Sequence, residues 1–213
     1  MICEITFGEG ERVGATHELP LQLGDWVIFE AQQVHLQKGQ EIGKVTKLIK
    51  SGKLSTQLEV APLIRKATQQ DMDEYKKIKE DELRTFEFCK EKVKDFGFPI
   101  KVVTVHIQFD RTLTKIDFLG EKKIDLKPLI KELTKVQKGR IELHQIGIRD
   151  YAKRFHAYGV CGRPVCCDSF LTEFEPITLD FVKLQHLSCG TSKLTGVCGR
   201  LVCCLAYERK LYK

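Results

Sequence analysis

Ile2 to Phe7 alternates apolar and polar residues, Trp26-Val-Ile-Phe29 is a dense β-forming run, and alternation resumes from Ile42 to Ile49. Turns at Gly24-Asp25 and Ser51-Gly52 separate these runs, so residues 1–64 are expected to form short strands in a small β-barrel or meander. Trp26, inside an apolar run, reads as core rather than as a ligand platform. The period then lengthens. Thr68-Gln-Gln-Asp71 has the form of a capping box with Asp in place of Glu, and it opens a long amphipathic helix that Gly97 and Pro99 end. Leu83, Phe86, Cys89 or Lys90, Val93 and Phe96 supply its apolar stripe, and Lys76, Lys77, Glu80, Asp81, Glu82, Glu91 and Lys92 its solvated face. Cys89, on the stripe, reads as a buried thiol packing as a small hydrophobe.

Ile100 to Phe109 is a strong strand with Val103, Val105, Ile107 and Phe109 on one face. Asp110-Arg111 turns it into a partner strand, Leu113 to Leu119. Asp125 then caps a helix with apolar positions at Leu129, Ile130, Leu133 and Val136, Pro128 being tolerated in its first turn. A third strand is expected from Arg140 to Ile148. His106 and His144 fall on strands, where a lone histidine is structural more often than catalytic. The fold class is therefore α+β: a barrel-like region at 1–64, an α-β-β-α-β domain at 65–150, and a cysteine-rich module at 151–213. In that module short helices are expected at Tyr151–Val160 and Asp180–Leu187. Weak periodicity beside many cysteines predicts a fold held by metal ligation.

Composition narrows the class. The chain has 213 residues, 42% hydrophobic and 30% charged, with no apolar run near the roughly 20 residues that cross a bilayer. The first residues lack the basic and apolar regions of a secretory signal, so a cytoplasmic location is expected. There, clustered cysteines such as most of the nine in this chain bind metal or do redox chemistry more often than they form disulfides. Net charge is −1 over residues 1–120 and +7 over residues 121–213. The excess suits either a nucleic-acid surface or compensation of metal-bound thiolates.

Six of the nine cysteines sit in two copies of one phrase, Cys161-Gly-Arg-Pro-Val-Cys166-Cys167 and Cys198-Gly-Arg-Leu-Val-Cys203-Cys204, offset by 37 residues. Gly162 and Gly199 let the backbone curl so that N–H groups face sulfur, and Arg163 and Arg200 favour the thiolate. Two C-x4-C units make either a four-thiolate zinc site or the cradle of an iron–sulfur cluster. Adjacent cysteines do not easily ligate one tetrahedral ion, so the surplus points to a cluster, a second metal, or a site shared with another protein. Cys189 is either an extra ligand or an isolated thiol, and Cys3 carries no functional weight. A cysteine nucleophile paired with His156 is the competing chemistry, but no Asn or Asp stands at an interpretable spacing.

The run from Val160 to Leu171, Phe174-Glu-Pro176, and Lys193 to Glu208 resemble the bacterial RicT (YaaT) family, as do Ile64 to Thr68, Phe88 to Lys92 and Arg140 to Gly147. Gly190-Thr191 departs from an Asn-Pro pair usual in that family. The resemblance implies a cytoplasmic, non-enzymatic regulatory subunit. Such proteins assemble with two small helical partners, RicA-like and RicF-like, in a complex carrying 4Fe-4S clusters. That complex promotes mRNA maturation dependent on an endoribonuclease, RNase Y, and in spore-forming relatives affects sporulation, competence and biofilm formation. It makes Cys161, Cys166, Cys167, Cys198, Cys203 and Cys204 the candidate cofactor-binding and metal ligands. Zinc in place of the cluster, or an RNA-binding module, are the alternatives.

Overall fold

The computed structural model describes residues 2–8, 11–16, 19–31, 39–49, 60–120, 124–137, 139–171, 175–187 and 194–212. The Ser51-Gly52 turn, Cys189 and the Gly190-Thr191 pair lie outside the described residues. The chain divides into two compact units, Met1–Gln145 and Ile146–Lys213.

In the first unit, β1 (Ile2–Phe7), β2 (Glu11–Thr16), β3 (Trp26–Glu30), β4 (Gln40–Ile49) and β5 (Val60–Lys66) close a barrel in the order β1-β2-β5-β3-β4, and β4 returns to pair with β1. Every pairing is antiparallel except β2 with β5, which run parallel over Gly14–Thr16 and Val60–Pro62. Inside, Cys3, Ile5, Phe7, Val13, Ala15, Val27, Phe29 and Val45 pack with Leu113, and Phe7 meets Phe29 edge-on at 5.2 Å. A Cβ on Gly43 would stand 2.4 Å from Ile5 Cγ2, so this wall of the barrel admits only glycine.

The long helix α1 (Gln69–Asp95) starts at the expected capping box. Asp71 Oδ2 accepts from Thr68 N at 2.7 Å, and Asp71 N donates to Thr68 Oγ1. Arg65 grips the same carboxylate with both guanidinium nitrogens and holds it well below the usual carboxylate range. The buried stripe is Ile78, Glu82, Thr85, Cys89 and Val93, whereas Leu83 is 61% exposed and Phe96 42% exposed. Glu82, expected in solvent, is inside because buried donors need it: Ile107 N donates to its Oε1 at 2.9 Å and Lys79 Nζ to its Oε2 at 2.7 Å. His106 Nε2 bonds Glu41 Oε2 at 3.0 Å, and its Nδ1 lies 3.2 Å from Glu82 Oε1. Burial opposes a charge on His106, but the two carboxylates outweigh it and lift the imidazole to about 10. Cys89 is fully buried, which pushes its thiol up to about 12, and it packs as a hydrophobe.

Strands β6 (Ile100–Ile107), β7 (Leu113–Gly120) and β8 (Arg140–Gln145) form a sheet in that order, β6 and β7 antiparallel and β7 and β8 parallel through α2 (Lys127–Val136). An irregularity between Val102 and Thr104 puts Val102 in one cluster with Val105, Ile107 and Phe109, while Val103 is buried outside that cluster. Asp125 serves α2 from one residue before the cap, accepting from Lys127 N at 3.1 Å. Ile28 and Ile42 of the barrel share the core of α1, α2 and the sheet, which makes residues 1–145 one unit. β8 ends at Gln145, and Ile148, expected to finish that strand, instead starts a helix.

The second unit contains α3 (Ile148–Arg154), α4 (Cys166–Ser169), α5 (Leu179–Leu184), α6 (Cys204–Tyr207) and a 3-10 turn at Arg209–Leu211. Both longer helices stop earlier than their expected ends, and each stops at a histidine in the left-handed region, His156 (φ 44) and His186 (φ 52). Val182, Leu194 and Leu205 form a small core, flanked by Ile177, Phe181, Leu201 and Val202.

Candidate metal centre

The two cysteine phrases are parts of a larger duplicated unit. After α3, Ala157 N reaches back to Ala152 O at 3.1 Å, and after α5, Leu187 N reaches back to Val182 O at 3.1 Å. A tight hairpin follows in each copy. Tyr158 bridges Pro164 in the first and Thr195 bridges Leu201 in the second. Gly159 N bonds Arg163 O and Gly196 N bonds Arg200 O, both at 2.8 Å, while Gly162 N and Gly199 N bond Gly159 O and Gly196 O at 2.9 Å. Gly162 (φ 76) and Gly199 (φ 70) are glycine because of that backbone turn and not for lack of room, since nothing stands within 4 Å of an added Cβ on either. Val165 N and Val202 N then close each hairpin onto Ala157 O and Leu194 O at 2.9 Å, and a one-turn helix carries the paired cysteines. The helices align at an offset of 30 residues through Asp150/Asp180, Lys153/Lys183 and His156/His186, against 37 for the phrases.

The two copies meet through equivalent residues: Phe170 and Tyr207 lie edge-on at 5.1 Å. A contact between equivalent residues is what a two-fold relation produces, here inside one chain. The electrostatics of the thiols follow the same duplication, since Cys166 helps to raise the Cys203 thiol, Cys198 that of Cys167 and Cys161 that of Cys204.

Cys161 and Cys204 are exposed and the other four half-buried. Burial, then the charge and hydrogen bond of Cys166, push the Cys203 thiol up to about 11. Burial also raises Cys167, with Cys198 adding to it, and Cys204, with Cys166, Glu208 and Cys161 adding to it. Thiols raised by burial and by neighbouring sulfur, as Cys167, Cys203 and Cys204 are, suit a thiophilic cation, which would supply the missing positive charge. The donor set thus fits an all-sulfur centre in kind, with two thiols beyond the four that such a centre takes. Among the described residues no three His, Cys, Asp or Glu side chains already converge at coordination distance, so a metal would have to draw the sulfurs closer.

The supporting residues differ from those the spacing suggested. Arg163 and Arg200 are exposed, and the cations that act on Cys167 are Lys153 and Arg149 of α3. The phrase glycines donate to carbonyls rather than to sulfur. His156 does have an acidic partner: its Nδ1 lies 2.6 Å from Asp168 Oδ2, at the exposed end of α4. In the second copy Leu205 stands at that place and is buried instead, its carbonyl accepting from Gln185 Nε2 at 2.7 Å. Cys3 and Cys89 are fully buried in the first unit.

Residues 61–146 match the model described as "PSP1 C-terminal conserved region", and residues 176–213 that described as "PSP1-like protein, third domain". The "Stage 0 sporulation protein YaaT" of Bacillus subtilis (strain 168) is 39% identical over 179 residues, 83% of this chain and 64% of that protein. Together these matches support assigning the chain to the YaaT (RicT) family. It spans less than two thirds of that relative's length. An "Uncharacterized protein PB7E8.02" of Schizosaccharomyces pombe is 22% identical over 152 residues, 58% of this chain and 20% of that protein. No solved structure matches the chain. Among the described residues no helix is long and apolar enough to cross a membrane.

Proposed function

We propose that this YaaT-family chain is a cytoplasmic, non-enzymatic regulatory scaffold whose second unit holds a 4Fe-4S cluster, its four thiolate ligands drawn from Cys161, Cys166, Cys167, Cys198, Cys203 and Cys204. The observation that carries this reading is the duplicated hairpin and one-turn helix, which sets three cysteines in each copy, with the equivalent Phe170 and Tyr207 in contact between the copies. The cluster would supply a redox-sensitive, thiolate-bound positive centre. The chain's own residues would position it, with the two hairpins presenting Cys161 and Cys198 and the one-turn helices presenting the cysteine pairs.

The scaffold role follows from the surface around those thiols. Tyr158, Val160, Val197 and Tyr207 are each at least half exposed, which suits small helical partners of the RicA and RicF kind. In that assembly the chain would promote endoribonuclease-dependent mRNA maturation without acting as the nuclease.

Anaerobic purification of the full chain with iron, sulfide and zinc quantification tests the metal reading. Iron and sulfide in equal amounts, with a brown chromophore lost in the Cys166→Ser and Cys198→Ser variants, are the expected result. A colourless protein with one zinc per chain replaces the cluster with a structural ion, and absence of all three removes the metal altogether. Co-purification with the helical partners, lost when Tyr158 and Val197 become Asp, tests the scaffold.

A further inference from the structure

We infer that the chain pairs with a second copy of itself along the free edge of β8, joining the two sheets into one. β8 is bonded to β7 on one side, and among the described residues no strand pairs with its other side. Arg140 N donates to Thr112 O, so the alternation of the strand turns the backbone groups of Arg140, Glu142 and His144 toward β7 and those of Ile141, Leu143 and Gln145 outward. Among the described residues no backbone hydrogen bond outside the strands involves those three. Other edges are blunted: the barrel is closed, and β6, at the far side of the sheet, carries Lys101 and the irregularity before Thr104. β8 has no lysine, proline or register shift, and each of its residues is exposed or half-exposed.

The side chains make this edge complementary to itself. In an antiparallel pairing of two identical edges, outward residues face outward residues, and the choice of centre fixes the rest. Centring on Glu142 or on His144 sets that group against its own copy, like against like. Centring on Ile141 runs the pairing into Gly139, whose φ of 107 ends the strand. Centring on Leu143 avoids all three faults. Leu143 then meets its copy on the axis, Ile141 meets Gln145 twice, and Glu142 meets His144 twice in the closely spaced kind of pair. The groups are held ready for that meeting. Asp117 Oδ1, buried on the neighbouring strand, lies 2.8 Å from His144 Nδ1 and so leaves Nε2 on the side of the ring away from β7. A protonated imidazole donates from both nitrogens, here one to each copy's carboxylate. Arg140 Nη2, 3.1 Å from Glu142 Oε1, keeps that carboxylate on the same face. On the other face Ile141 and Leu143 pack against the core of α1, α2 and the sheet, which the pairing continues across the axis. None of this depends on the metal reading above.

The test uses the full chain, kept reduced, in sedimentation and in residue-resolved hydrogen exchange over a range of concentrations. The mass is expected to rise from 24.4 kDa toward twice that value as concentration rises. In the paired state the N–H groups of Ile141, Leu143 and Gln145 exchange slowly and lose that protection on dilution, whereas those of Glu142 and His144, bonded to β7, stay protected throughout. Glu142→Arg reverses a pair that occurs twice and is expected to weaken association by at least about ten-fold. Leu143→Lys places like charges on the axis and is expected to leave a monomer. Unchanged protection of β6 and β7 shows that each variant still folds. A chain that stays monomeric at every concentration overturns the inference, as does a dimer that both substitutions leave intact. Protection of Ile141, Leu143 and Gln145 that does not change on dilution also overturns it, because the edge is then covered from within the chain.

Discussion

Among the described residues, twenty-six apolar side chains are buried in residues 1–145 and six in residues 146–213, yet twelve of the nineteen large apolar side chains left exposed belong to the smaller unit. The first unit has the means of an ordinary domain: a filled barrel, a covered sheet, and buried charges that satisfy one another. The second has a core of three residues and spends much of its apolar surface outside. A unit of under about 70–80 residues with so little core needs a staple. The difference teaches that the same chain carries one part stabilised by packing and one with too small a core for packing alone to hold it.

Metal removal should break the comparison most visibly. A structural metal contributes on the order of 10 kcal/mol to a small domain. Chelation is expected to abolish hydrogen-exchange protection at Val165 and Val202 N–H, which close the hairpins, and to leave that of β6 and β7 unchanged. Equal loss in both units would refute their independence. Next, Phe29→Ala, in the centre of the barrel, should cost about 3–5 kcal/mol in urea unfolding of the first unit, with the thiol reactivity of the second unaltered.

The buried ion network sharpens the contrast further. Glu82→Gln removes one of the two carboxylates facing His106, at an expected cost of about 3 kcal/mol near neutral pH. His106 is raised in the folded state, so its contribution is fully present below the ordinary histidine value of about 6.5 and is lost as pH rises through about 10. The gap in urea midpoint between the native chain and the variant should therefore narrow in alkaline solution, and a gap that widens there would contradict the network. The smallest effect compares the two copies with each other. Gly162→Ala and Gly199→Ala both force a left-handed alanine into open space, and each should cost about 1 kcal/mol, nearly equally.

Much of the first unit was legible because its signals are local. The capping box fixed the start of α1, and alternation marked β1, β4 and β6. β2 and β5 escaped because Glu11–Thr16 carries a mid-strand glycine and Val60–Lys66 a proline, both residues that argue against a strand, and because their parallel partnership is a tertiary choice. The stripe of α1 was misplaced by one position at Glu82, since polarity alone does not reveal that His106 and Ile107 N wait for a carboxylate inside.

In the second unit the repeated cysteine phrase was plain, but the full duplication was hidden. The second copy holds seven extra residues between helix and hairpin, so a search at one constant offset finds the cysteines and misses Asp150, Lys153 and His156 against Asp180, Lys183 and His186. The partnership of His156 with Asp168 was equally invisible from spacing, because it depends on α4 folding back toward the end of α3.

The internal symmetry also distributes redundancy unevenly. Off the axis each element exists twice: the hairpin closed by Val165 N–H has its counterpart in the one closed by Val202 N–H, so a lesion in one leaves the other standing. On the axis there is no spare copy. The contact of Phe170 with Tyr207 is made once, so a single replacement there reaches both copies together.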